Sequence, residues 1–410
     1  MKKKKFPFLK IPPVAGVFIF LLILVSSVLY FRYNPLFLKI PLFWKPPPNL
    51  QSIAEKIVET CKDFKYRQGC YEKEIPSLMY APELLTMQQS FEVTENVQKI
   101  DTDYGYCHVT GHNLSQQEVR KNPDDWKSVL TKCPVAGCAN GCIHGVFMEK
   151  FNTDTFSDQQ INFLSQDLKT VCMKNELWNP TSSETSGCFH ALGHAAMYLT
   201  EANVKRSIQF CYKVADSIPA LFYNCYQGVF MQIFQPLEAE DRLLVAKIKP
   251  KTQEEAVDFC YKYTGYQKIT CLNQMWPLFF KQFRDPEKLD IYCKYYDPKD
   301  KQRCYSTAIN ILTSNLKLDV NFMFNYCSQL TEPLPGECLG ISASRMFEID
   351  TKNKEKALTL CTKGSSVDPK GICFQRLIST SNNFFRDPQS EKPEFCKDLP
   401  EEWKRICLGN

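Results

Sequence analysis

Histidine is scarce in this chain: five residues in 410, and none after His194. Several familiar chemistries are missing with it. The sequence has no glycine-rich phosphate loop and no serine-nucleophile elbow, which removes the common nucleotide-binding and serine-hydrolase readings. It has no C-x-x-C-H run for covalent haem attachment. Nor does any H-E-x-x-H run set a water-activating glutamate beside a histidine pair, so a zincin-type protease is excluded. Eight of the 50 Lys and Arg, and none of the 45 Asp and Glu, precede residue 46, so the remainder is slightly acidic. That leaves no electrostatic footprint for nucleic acid.

Cysteine is plentiful, with 20 residues in a chain of ordinary hydrophobic content. A reducing cytosol would keep such thiols unpaired, so the even count points to an oxidising compartment. The N-terminus offers a route there. Five lysines lie within residues 1–10, and 18 uncharged residues follow over 14–31, long enough for a helix to cross a bilayer core. Lysines in front place the N-terminus in the cytoplasm. Arg32, Lys39 and Lys45 beyond the run weaken that argument, so the cysteines decide the orientation. A cleaved signal peptide is the competing reading, but Ser26, Ser27 and Val28 make a poor cleavage site. The expected organisation is a cytoplasmic basic tail over 1–12, a transmembrane anchor over 13–32 and a proline-rich spacer over 33–50. Helical repeats then fill 51–250, with all the histidines, and 251–410, with regular cysteine pairs. The chain is thus expected to be a single-pass membrane protein whose bulk lies outside the cytoplasm.

From Cys260 the cysteines fall in pairs 11 or 12 apart: Cys260 and Cys271, Cys293 and Cys304, Cys327 and Cys338, Cys361 and Cys373, Cys396 and Cys407. Successive pairs lie 33 to 35 residues apart, the period of stacked helical hairpins. Cys61 and Cys70, Cys133 and Cys142, Cys172 and Cys188, and Cys211 and Cys225 continue the pattern upstream. A helix breaker recurs between the two cysteines, among them Pro134, Pro219, Gly265, Pro298 and Pro369. A disulfide therefore ties the end of one helix to the start of the next, contributing about 3 kcal/mol in the chain-entropy model. Two cysteines fall outside the rule. Cys107 and Cys138 are expected to bridge neighbouring repeats; the competing pairing permutes Cys133, Cys138 and Cys142.

The fold class is all-α, an α-solenoid of about ten disulfide-stapled hairpins. Its general shape resembles tetratricopeptide and Sel1-like solenoids. The tetratricopeptide Trp/Leu-Gly/Tyr pattern is missing, so the resemblance stops at architecture.

All five histidines occupy matching positions just after the second cysteine of three consecutive repeats. His108 and His112 form one H-x-x-G-H, His190 and His194 form another, and His144 lies in the repeat between. Histidines at i and i+4 stand one above the other on a helix face, a workable chelating pair. The register predicts a contiguous stripe across three helices, suited to zinc, copper or iron, with haem as a further option. Met148, Glu149, Asp101 and Asp103 are weaker ligand candidates. Packing histidines inherited by duplication, or a metal-free acid–base or pH-sensitive role, are the competing readings. The functional expectation is a histidine-built metal site of binding, redox or enzymatic role. The alternative is a metal-free solenoid scaffold that takes a protein partner on its surface.

Overall fold

The computed structural model describes residues 48–135, 137–151 and 156–409. The described residues form 22 α-helices joined by short 3-10 turns and loops, with no strand among them. Local chemistry sets many of the helix starts. Capping boxes open four helices, with Thr86 and Gln89, Ser157 and Gln160, Thr181 and Glu184, and Glu238 and Asp241 satisfying one another's backbone N–H groups. Pro219 opens the Pro219–Phe234 helix, where its missing N–H costs nothing.

Every cysteine is paired. Nine disulfides join the end of one helix to the early turns of the next, or to its body, with Cα atoms 5.3 to 5.8 Å apart. The tenth joins Cys107 to Cys138 across neighbouring repeats. First helices of the hairpins are amphipathic. The Val204–Val214 helix buries Ser207, Ile208, Phe210, Cys211 and Val214 along one stripe. Second helices are apolar on more than one side, because neighbours pack on both flanks. Thus the His108–Lys121, Gly141–Phe151, Ser182–Leu199 and Pro219–Phe234 helices pack in series, each on the next. The Lys301–Asn315, Leu334–Ile349 and Ile372–Ser381 helices repeat that arrangement.

The spacing of the cysteines gives no hint of how the two ends of the array meet. The Leu334–Ile349 helix packs on the Gly137–Asn140 turn, and the Asn382–Phe384 turn packs on the Ser182–Leu199 helix. Lys317 pairs with Asp103 at 2.8 Å, and Lys352 pairs with Glu95. Arg386 reaches the buried Glu184 carboxylate at 2.5 Å. A carboxylate at that depth needs a cation or several donors. Replacing Arg386 with Met should therefore destabilise the protein by about 2 kcal/mol. That is less than for a fully buried pair, because Arg386 keeps 37% of its side chain in water. Denaturant titration of Arg386→Met checks this; an unchanged midpoint would mean the contact contributes nothing.

The membrane assignment is corrected. Among the described residues no helix is long and apolar enough to cross a membrane, and a single-pass anchor is not supported. The run over 13–32 and the basic tail over 1–12 lie outside the described residues, as does the spacer as far as residue 47. The ten disulfides stand apart from this and point to an oxidising or extracellular location.

Candidate metal centre

His108 and His112 stand one turn apart on the His108–Lys121 helix, and His190 and His194 stand likewise on the Ser182–Leu199 helix. His144 lies on the Gly141–Phe151 helix that packs between them. The five rings form one cluster. Centroids are 4.6 Å apart for His108 and His112, 4.9 Å for His108 and His144, and 5.0 Å for His144 and His190. The Nε2 atoms of His108 and His112 lie 3.0 Å apart, and those of His190 and His194 lie 3.2 Å apart. Nitrogen ligands on one zinc at about 2.0–2.1 Å would stand roughly 3.3 Å from each other in a tetrahedron. Two triads result, His108–His112–His144 and His144–His190–His194, each with its ligand atoms within 4.8 Å of one another. His144 belongs to both. Four of the histidines are buried, and His190 is partly exposed.

Glycine lets these helices approach so closely. A Cβ on Gly193 would lie 2.0 Å from the carbonyl oxygen of Cys225, and one on Gly228 would lie 2.0 Å from that of His190. The two backbones are in direct contact there, and only hydrogen fits between them. The sequence places Gly193 immediately before His194, so the residue that allows contact also sets the ligand's height.

Hydrogen bonds on the outer ring nitrogens fix how the imidazoles face. His108 Nδ1 donates to the Cys138 carbonyl at 3.1 Å, which frees Nε2 to act as a ligand. Cys138, Ala139 and Asn140 all adopt left-handed backbone, with φ of 51°, 52° and 62°. Such non-glycine residues cost of order 1 kcal/mol or more each, and persist only where their surroundings hold them. Here the Cys107–Cys138 bridge does so. On the other flank, Gln232 donates its Nε2 to Asp241 Oδ1 at 2.5 Å. Its Oε1 therefore faces His194 and accepts from Nδ1 at 2.5 Å, again leaving Nε2 free. Asp241 also accepts from the Tyr198 hydroxyl and from the backbone N–H groups of Leu237 and Glu238. Glu238 Oε1 stands 3.6 Å from His112 Nδ1, a nitrogen that is buried with no hydrogen-bond partner among the described residues. At that distance the pair attracts without a formed hydrogen bond.

Burial pushes all five histidines below the usual imidazole range, His112 to about 3. They are therefore neutral at ordinary pH, the form that binds metal. Burial also holds the Glu238 carboxyl above the usual carboxylate range.

The three weaker carboxylate candidates are each engaged by a cation. Glu149 is clamped by Arg120 through two bonds of 2.6 and 2.8 Å. Asp101 accepts from Tyr71 at 2.7 Å and pairs with Arg67, while Asp103 pairs with Arg67 and Lys317. Met148 is buried on the helix of His144. The sequence did not disclose Tyr198, Gln232, Glu238 and Asp241 as participants. The one signal in the sequence is the 46-residue step from Cys225 to Cys271, longer than the 33 to 35 of the regular pairs, within which Glu238 and Asp241 cap the short Ala239–Val245 helix. Comparison with protein-family models, with curated proteins and with solved structures finds no match to this chain.

Proposed function

We propose that this is a metal-binding protein of an oxidising compartment, whose centre is built from His108, His112, His144, His190 and His194. The observation that carries this is the pair of histidine triads sharing His144 inside an apolar, helix-packed interior. Five neutral imidazoles held at ligand spacing are costly to bury without a purpose, and their outer nitrogens are already oriented. Neutral imidazole suits zinc, copper or iron. Ring centroids in direct contact at 4.6 to 5.0 Å favour a bare ion over haem. Ten disulfides already staple the fold, so a metal is not needed for that. His190 is the least buried of the five, so the side of the centre nearest to solvent is its own, where a catalytic ion would need an open position. We read the chain accordingly as a redox or metal-dependent catalytic protein on a solenoid-like stack of hairpins.

Elemental analysis of the full chain tests this, with disulfides intact and after loading with Zn2+ and dialysis. At least one equivalent should remain bound, and replacement of all five histidines by Ala should abolish it. No retained zinc in the unaltered protein, or equal zinc after replacement, refutes the reading.

A further inference from the structure

His144 differs from its neighbours in how its ring is used. His108 commits Nδ1 to a carbonyl, and His194 commits Nδ1 to Gln232, so each offers one remaining nitrogen inward. Among the described residues neither ring nitrogen of His144 has a hydrogen-bond partner. Its centroid lies 4.9 Å from that of His108 on one side and 5.0 Å from that of His190 on the other. An imidazole has two nitrogens on different edges of the ring, and a single ion can take only one of them. The other would then have no protein partner among the described residues, although His144 belongs to both triads.

From this geometry we infer that His144 bridges two metal ions. One ion is held with His108 and His112, and the other with His190 and His194. This inference rests on the metal-binding reading and adds the number of ions and the link between them. Charge supports it. Two divalent cations in a low-dielectric interior need compensating negative groups nearby. The bridging imidazole supplies one negative charge by releasing its N–H proton to solvent as the second ion binds; no electrons move. Each half of the cluster also has a carboxylate of its own. Glu238 stands 3.6 Å from His112, and Asp241 is joined to His194 through Gln232. Both carboxylates come from the one capping box that opens the Ala239–Val245 helix, so a single short element serves both ions.

Titration of the metal-free full chain with Cu2+, disulfides intact, tests the bridge by electron paramagnetic resonance. Copper ions joined through one imidazolate couple antiferromagnetically. Binding should saturate at two ions per chain, with an integrated spin less than half that of two isolated ions. Replacing His190 and His194 by Ala should leave one ion with full spin, and this variant keeps the test open if His144→Ala fails to fold. A folded His144→Ala should show no coupling. Saturation at one ion, or two ions with additive spin, overturns the bridge while the metal-binding reading stands. No copper binding at all overturns both.

Discussion

Reduction of the disulfides is expected to unfold this protein at room temperature, with loss of most of its helical signal. Many of its helices are too short to persist alone. The Leu289–Cys293 helix has five residues, Trp126–Thr131 six and Phe280–Phe283 four. Isolated helices below about 12–15 residues are marginal in water. A first helix of this kind is held by the second helix to which it is tied and by the layer beneath. Each bridge closes a loop of 9 to 16 residues, or 31 for Cys107 and Cys138. Such closures contribute about 3 kcal/mol each, against a typical net stability of about 5–15 kcal/mol. Loss of all ten would exceed that margin. Far-UV circular dichroism before and after full reduction, confirmed by thiol alkylation and mass, measures the effect. Unchanged helicity and melting temperature in the fully reduced chain would show that apolar packing alone suffices.

Gly193→Val is expected to be nearly as damaging, although it removes no interaction. Its Cβ would meet the Cys225 carbonyl oxygen at 2.0 Å and the Val229 nitrogen at 2.8 Å, and both are helical backbone atoms. Neither can rotate aside as a side-chain tip would, so the helices must separate. Cys225 is also disulfide-bonded to Cys211, which resists the shift. The cost should reach about 3 kcal/mol or more, the upper end of overpacking. Separation would also draw Gln232 away from His194 Nδ1 and release the hydrogen bond that orients that ring, so metal content should fall even where the variant folds. Gly265→Ala is a suitable contrast: nothing lies within 4 Å of that Cβ, and only its φ of +54° opposes the change. That substitution should cost only about 1–2 kcal/mol. Urea titration of the two variants separates the cases, and equal stability would remove close backbone contact as the reason for Gly193.

These features were unequally visible in the sequence. Cysteine spacing was readable because a staple across a hairpin loop must join residues close in the chain, and repetition made the rule plain. The histidine stripe was readable for the same reason: equal positions in successive repeats land on adjacent helices. Contacts made once left no period to read. Glu184 meets Arg386 across 202 residues, and neither position is distinguished locally. Gln232 and Asp241 act through hydrogen bonds that no other repeat makes, on residue types that are common at surfaces. The left-handed run from Cys138 to Asn140 was hidden because none of its residues is glycine, the usual marker of such backbone. Glu149 shows the same limit. It lies on the helix of His144, and its partner Arg120 comes from the neighbouring His108–Lys121 helix, a contact that the spacing does not announce.

The Cys107–Cys138 bridge gives the order of assembly a meaning. It is the one bond whose partner could be exchanged, since Cys133 and Cys142 lie within a few residues of Cys138. A chain that pairs Cys138 with either neighbour would keep most of its hairpins and present a near-normal helical content. It would lose the turn that brings the Cys138 carbonyl to His108. Such a mispaired chain would pass for mature by shape while remaining unable to hold its full complement of metal. Under the metal-binding reading, correct oxidation at this single position would be needed to set the orientation of His108.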